Sequence, residues 1–142
     1  MNPGFANPAK FFIEHIKNIK FLAMTPPVMA KTYLHFLALL SASGDFDANG
    51  EFDANHQALF ESAVIHWSMG KPLSVLETIS QAELGSPATL HKRLQRLIAQ
   101  DFVKSACKGS DKRTKFVSPS NKGISYMDWV GNTMLKSLTL SE

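Results

Sequence analysis

The chain has a single cysteine, Cys107, among 142 residues, so no disulfide framework can form within it. It has no apolar run of the roughly eighteen residues that a membrane-crossing helix needs. The densest run, YLHFLALL at 33–40, holds His35 and stops at Ser41. The opening MNPGFANPAK lacks the charged-then-apolar layout of a secretory leader. These shortages make a cytoplasmic protein without membrane contact the expectation. Catalytic patterns are missing as well. There is no Ser-His-Asp order, no paired catalytic carboxylates, no phosphate loop and no Cys-His metal spacing. Neither enzymatic activity nor a cofactor or metal is expected.

What the chain does contain is enough apolar material for one globular domain, with 44% hydrophobic residues. Its net charge of +3 hides a sharp asymmetry. Between residues 45 and 61 lie five acids and no Lys or Arg, whereas residues 86–123 carry nine bases against two acids, a net +7. A block of that sign and density suits a polyanion, although a merely solvated lysine-rich surface would look the same from charge alone.

The acidic stretch reads DFDANGEFDANH, residues 45–56. Asp45, Asp47, Asn49, Gly50 and Asp53 fall on the first, third, fifth, sixth and ninth positions of an EF-hand calcium loop. The twelfth position, where that loop needs a bidentate carboxylate, is His56. The stretch therefore reads as a polar connection in which Asp53 caps the following helix, and calcium binding is not expected.

Pro8 opens a helical pattern closed by Pro26-Pro27. A second helix is expected over 28–43, with Tyr33, Phe36, Leu37 and Leu40 at helical spacing, and a third after Asp53 with Leu59, Phe60, Ala63, Val64 and Trp67 as its buried stripe. His35 and His66, on apolar faces, read as hydrogen-bonded core or interface histidines. Trp67 and Trp129 read as core or interface anchors. Ser74 caps a helix through about Glu83 that would bury Leu76 and Ile79. Ser86-Pro87 then starts another, with Leu90, Leu94, Leu97 and Ile98 on one side. FVKSAC and TKFVS alternate apolar and polar residues around the turn-forming KGSDKR, the signature of a basic-tipped hairpin. Ser120 starts a last helix with Ile124, Met127, Val130, Met134 and Leu138 on one face.

Helix, tight turn, helix and basic hairpin in this order is the layout of a winged helix-turn-helix. The expected fold is mainly α with a small β-hairpin, a winged helix-turn-helix core at 52–119 flanked by N-terminal helices at 1–44 and a C-terminal helix at 120–142 for dimerisation. A major groove roughly 12 Å wide admits one helix, and the minor groove admits an arginine from a hairpin tip. With its leucines turned inward, helix 86–99 would present Ala88, Lys92, Gln95 and Arg96, with Thr89 and His91 at the margins. Ser86, at the helix start, would offer backbone amides to a phosphate. The wing, 104–117, adds Lys108, Asp111, Lys112, Arg113 and Lys115.

The stretch LGSPATLHKRLQRLIAQDFVKSACKGSDKRTKFVSPSNKG resembles the DNA-binding core of the MarR family of bacterial transcriptional regulators, over roughly residues 52–130. Thr89 to Leu94 stand at the family's T-x-x-x-x-L core, Asp111-Lys112-Arg113 at its D-x-R and Ser120-Asn121-Lys122-Gly123 at its Thr/Ser with K-G. The resemblance implies that Arg113 enters the minor groove, that Asp111 holds it, and that the protein is a homodimer binding double-stranded DNA. A small-molecule effector, phenolic or lipophilic in many members, is a further partner it implies, and no residue here identifies one. The C-terminal helix is shorter than in many relatives, so the first helix must do more of the dimer packing or the dimer differs. The alternative is a non-enzymatic protein-interaction module on the same fold. Cys107, ending a wing strand among lysines, reads as a structural thiol before a redox sensor.

Overall fold

The computed structural model describes residues 28–43, 46 and 52–139, which form five helices and a two-stranded antiparallel sheet. The helix expected after Pro8 and the acidic residues Asp45, Asp47, Asn49 and Gly50 lie outside the described residues. The chain divides into two compact units, residues 49–126 and residues 1–48 with 127–142. No described helix is long and apolar enough to cross a membrane.

Val28–Ala42 is α1, and the unit 49–126 opens with α2, Ala54–Ser68. Asp53 caps α2 as its sequence position predicts, accepting the amides of Asn55 and His56 at 2.9 and 3.0 Å. Leu59, Phe60 and Ala63 are buried, Val64 is half-buried, and Trp67 lies 40% exposed. The far end closes with paired bonds from Gly70 N to Trp67 O and Lys71 N to His66 O. That 5→2 and 6→1 pairing needs a left-handed residue after the cap, and Gly70 supplies it at φ +76°.

Ser74 caps α3, Val75–Ile79, through a full capping box with Glu77. This helix is shorter than the sequence suggests and is turned differently. Leu76 is 70% exposed, Ile79 is half-buried, and the buried residue is Thr78, whose hydroxyl donates to Ser74 O at 2.7 Å. With its hydroxyl satisfied by the preceding turn, Thr78 can be enclosed without an orphaned polar atom, and the helix need not present Leu76 instead.

α4, Pro87–Ala99, keeps the expected stripe, with Leu90, Leu94 and Leu97 buried and Ile98 only partly so. It ends in the same paired-bond motif as α2, from Asp101 N to Ile98 O and Phe102 N to Leu97 O. Here the left-handed position is held by Asp101 at φ 62°, a residue type that tolerates it. β1, Val103–Cys107, pairs with β2, Lys115–Pro119, in the register Val103 to Pro119 and Cys107 to Lys115. β2 is flanked on its other edge by Leu73 and Ser74, with Val117 N donating to Leu73 O at 2.8 Å and a bridge from Ser74 to Phe116.

Packing joins α2 to α4 and β2. Phe52, Phe60, Phe102 and Tyr126 form one aromatic cluster, with Phe52 stacked on Phe102 at 4.3 Å and edge-on to Tyr126 at 4.9 Å. Burial, and secondarily the Glu61 carboxylate, pushes the Tyr126 hydroxyl above its ordinary range. α5, Asn121–Thr139, is fastened to this unit by its first residues. Ser120 donates its hydroxyl to Asp101 O, and Lys122 Nζ donates to Gln100 O at 3.2 Å while lying 4.4 Å over the Phe102 ring. Gly123 sits so close to the chain that a Cβ there would fall 2.2 Å from Phe102 O.

The second unit contains α1 and the later part of α5. Its buried described residues are small or hydroxylated, namely Ala38, Thr133 and Ser137. The Thr133 and Ser137 hydroxyls donate to Trp129 O at 2.8 Å and Met134 O at 2.6 Å. Phe46 lies 5.7 Å from the Trp129 ring. Of the residues expected on the inner face of the last helix, Met134 and Leu138 are 54% and 55% exposed, and Ile124, in the other unit, is 45% exposed. The back-bonded Thr133 and Ser137 take the enclosed positions in their place. The ring of His66 donates Nδ1–H to Ser62 O at 2.8 Å, whereas His35 Nδ1 is shielded from solvent with no partner among the described residues.

Candidate nucleic-acid interface

All twelve residues singled out for a polyanion face are exposed, and all belong to the unit 49–126. The placement of those on α4 follows from its buried stripe. Because Leu90, Leu94 and Leu97 are fixed inward, a period of about 3.6 residues carries Ala88, Lys92 and Gln95 to the opposite side, with Arg96, Thr89 and His91 flanking them.

Local bonds divide these residues into those that shape the helix and those that project from it. Ser86 Oγ accepts the Thr89 amide at 3.3 Å and donates to Thr89 Oγ1 at 2.9 Å, so the two hydroxyls close the helix start. Arg93, a base the charge count includes, is turned back instead of outward. Its guanidinium donates to Leu84 O at 3.0 Å and holds the turn that precedes the helix.

The hairpin tip is organised by Asp111. Asp111 Oδ1 accepts the backbone N–H of Arg113 at 2.9 Å, and the two side chains make no ion pair among the described residues. Asp111 thus sets the course of the chain at Arg113, and the guanidinium is left exposed. Lys108, Lys112 and Lys115 are exposed around it. Cys107 is exposed too, its Sγ 3.4 Å from Lys112 O, which ties the end of β1 across the tip.

Helix and hairpin meet at a cleft of about 540 Å³ lined by His91 from α4, Arg113, Thr114 and Lys115 from the hairpin, and Leu76 and Ile79 from α3. The sequence offered no sign that α3 would contribute, because its phase put Leu76 in the core. A second cleft, about 330 Å³, lies between the end of α2 and the sheet and is lined by Trp67, Pro72, Ala106, Cys107 and Phe116. Among the described residues no group of three or more His, Cys, Asp or Glu is placed to hold a metal. Asp53, on the ninth position of the calcium-loop pattern, is engaged at its own helix start.

Compared with family models, with curated proteins and with solved structures, the chain gives no match.

Proposed function

We propose that this protein is a sequence-specific, double-stranded DNA-binding transcriptional regulator, built as a winged helix-turn-helix of the MarR kind and acting as a homodimer. The observation that supports it most is the cleft just described. It puts a side chain of α4 and two cations of the hairpin on one surface, as a helix in a major groove and a wing in the neighbouring minor groove require. Lys92 and Gln95 are exposed on α4, where they would meet base edges and phosphates, and Arg113 is exposed on the hairpin, where it would enter the minor groove. Self-association has its support in the second unit, where Met134, Leu135 and Tyr33 are 54%, 64% and 60% exposed.

The test is a titration of duplex DNA at several salt concentrations, followed by selection of bound sequences from a random pool. Non-specific binding should fall steeply with salt. Arg113→Ala should cost affinity and flatten any preference for narrow minor grooves, and Lys92→Ala should lower affinity and reduce the salt slope by about one. Unchanged affinity in both variants would rule out these faces. A protein-interaction module is favoured instead by one specific feature, Trp67, which is 40% exposed and lines the Phe116 cleft. It predicts almost no duplex binding at any salt concentration.

A further inference from the structure

We infer that the outer edge of β1 is a docking site for an extended acidic segment of another protein, which adds as a strand and seats one aromatic side chain in the cleft beside Trp67. The inference stands whether or not the chain binds DNA.

The open edge follows from the register of the sheet. Val117 N donates to Leu73 O, on the side of β2 away from β1. Val117 and its ladder partner Ser105 are therefore a pair that exchanges no bonds, and the backbone N–H and C=O of Ser105 point off the far side of β1. Cys107, two residues on, repeats that direction. Among the described residues no backbone bond reaches Ser105 or Cys107 from that side. Neither a proline nor a bulge interrupts β1 to blunt it. The complement of such a row of directed donors and acceptors is an extended backbone.

The side chains define what that backbone carries. Lys104 and Ala106 share one face of the sheet with their ladder partners Ser118 and Phe116. On that face Ala106, Phe116 and Ser118 line the cleft of about 330 Å³ that Trp67 and Pro72 bound on its other side. Lys108, next in the same alternation, lines it as well. The edge thus offers a base, an aromatic-walled cleft and a second base at Lys104, Ala106 and Lys108, all exposed. A strand laid beside it sets alternate residues against these three, and cross-strand pairing selects an acid, an aromatic and an acid. No carboxylate lines the cleft among the described residues. Two copies of this chain joined edge to edge would set lysines beside lysines, which disfavours self-pairing.

The experiment is an NMR titration of the full chain with the synthetic peptide STETFTETS, which puts Glu, Phe and Glu at alternate positions. Saturable shifts are expected at the Ser105 and Cys107 amides and at the Trp67 indole N–H. N-methylation of one alternate set of peptide amides should abolish them, and methylation of the other set should leave them, because only one set faces the edge. Lys104→Glu combined with Lys108→Glu should weaken binding about tenfold, and the peptide STKTFTKTS should bind that variant about as well as STETFTETS binds the parent. Absence of a saturable shift up to about 1 mM peptide would overturn the inference. So would equal binding by both methylated peptides, which would mean that the ring docks in the cleft without strand pairing. Concentration-dependent shifts of the same amides in the protein alone would assign the edge to a second copy and overturn it as well.

Discussion

The unit 49–126 and the unit that combines α1 with the later part of α5 enclose different kinds of side chain. The first buries Phe60, Phe102, Leu90, Leu94, Leu97, Val103 and Val117 almost completely. In the second, the enclosed described residues are Ala38, Thr133 and Ser137, while Tyr33, Met134 and Leu135 stand more than half exposed. Apolar burial is the main favourable contribution to folding, at roughly 25 cal/mol per Å². The first unit thus carries its own driving force. The described part of the second encloses little apolar area and leaves large apolar side chains at its surface.

Phe102→Ala tests the first half of this contrast most severely. Phe102 touches Phe52, Phe60 and Tyr126 and carries Lys122 over its ring. Its loss should cost about 3–5 kcal/mol in denaturant unfolding. A loss below about 1 kcal/mol would mean that the cluster does not stabilise the unit. Gly123→Ala should be next, at about 1–3 kcal/mol, since the new methyl meets a backbone carbonyl that cannot turn aside. In the second unit Leu135→Glu should change unfolding by no more than about 0.5 kcal/mol where the chain is dilute, yet lower the mass seen by sedimentation at higher concentration. A parent that sediments as a monomer throughout would break the comparison at its other end.

These positions also show which features can be read from a linear chain. The leucine stripe of α4, the Asp53, Ser74 and Ser86 caps and the alternating hairpin strands follow from local rules, and each stands where the sequence puts it. Asp101 shows the limit. It closes α4 with the same bonds that Gly70 uses for α2, but nothing marks an aspartate as the left-handed residue until Phe102 N is seen to reach Leu97 O. Thr78 and Leu76 exchange their expected places because a threonine can satisfy its hydroxyl on its own helix, which a count of apolar residues does not weigh. The SNKG stretch is legible as a pattern, yet its work in joining α5 to Asp101, Gln100 and Phe102 is visible only in three dimensions. For the candidate site, the exposure of all twelve residues follows from the leucine phase and the hairpin turn. The withdrawal of Arg93 toward Leu84 O, the backbone role of Asp111 and the contribution of Leu76 and Ile79 to the cleft depend on tertiary contacts.

The smallest expected effect lies at the edge of the well-packed unit, where the calcium-loop pattern meets α2. Asp53 Oδ1 lies 2.8 Å from His56 Nδ1, a distance two acceptors would not adopt, so that nitrogen carries the proton and donates. The backbone amide of His56 first, and its ring second, hold the Asp53 carboxyl below its ordinary range. In the unfolded chain the same group takes up a proton near pH 4, at about its reference value. Its stabilisation is therefore full above that pH and is lost as pH falls through the lower folded value. Asparagine caps about as well as aspartate but does not titrate. Asp53→Asn should accordingly keep α2 capped near neutrality and flatten the decline in unfolding midpoint on the acid side, measured by denaturant titrations between about pH 3 and pH 7. An acid limb identical to the parent's would show that the carboxylate's bonds to His56 contribute nothing to the folded state. Calcium should leave the parent's midpoint unchanged at every pH in the same series, because Oδ1 already accepts two amides and a ring N–H at the helix start.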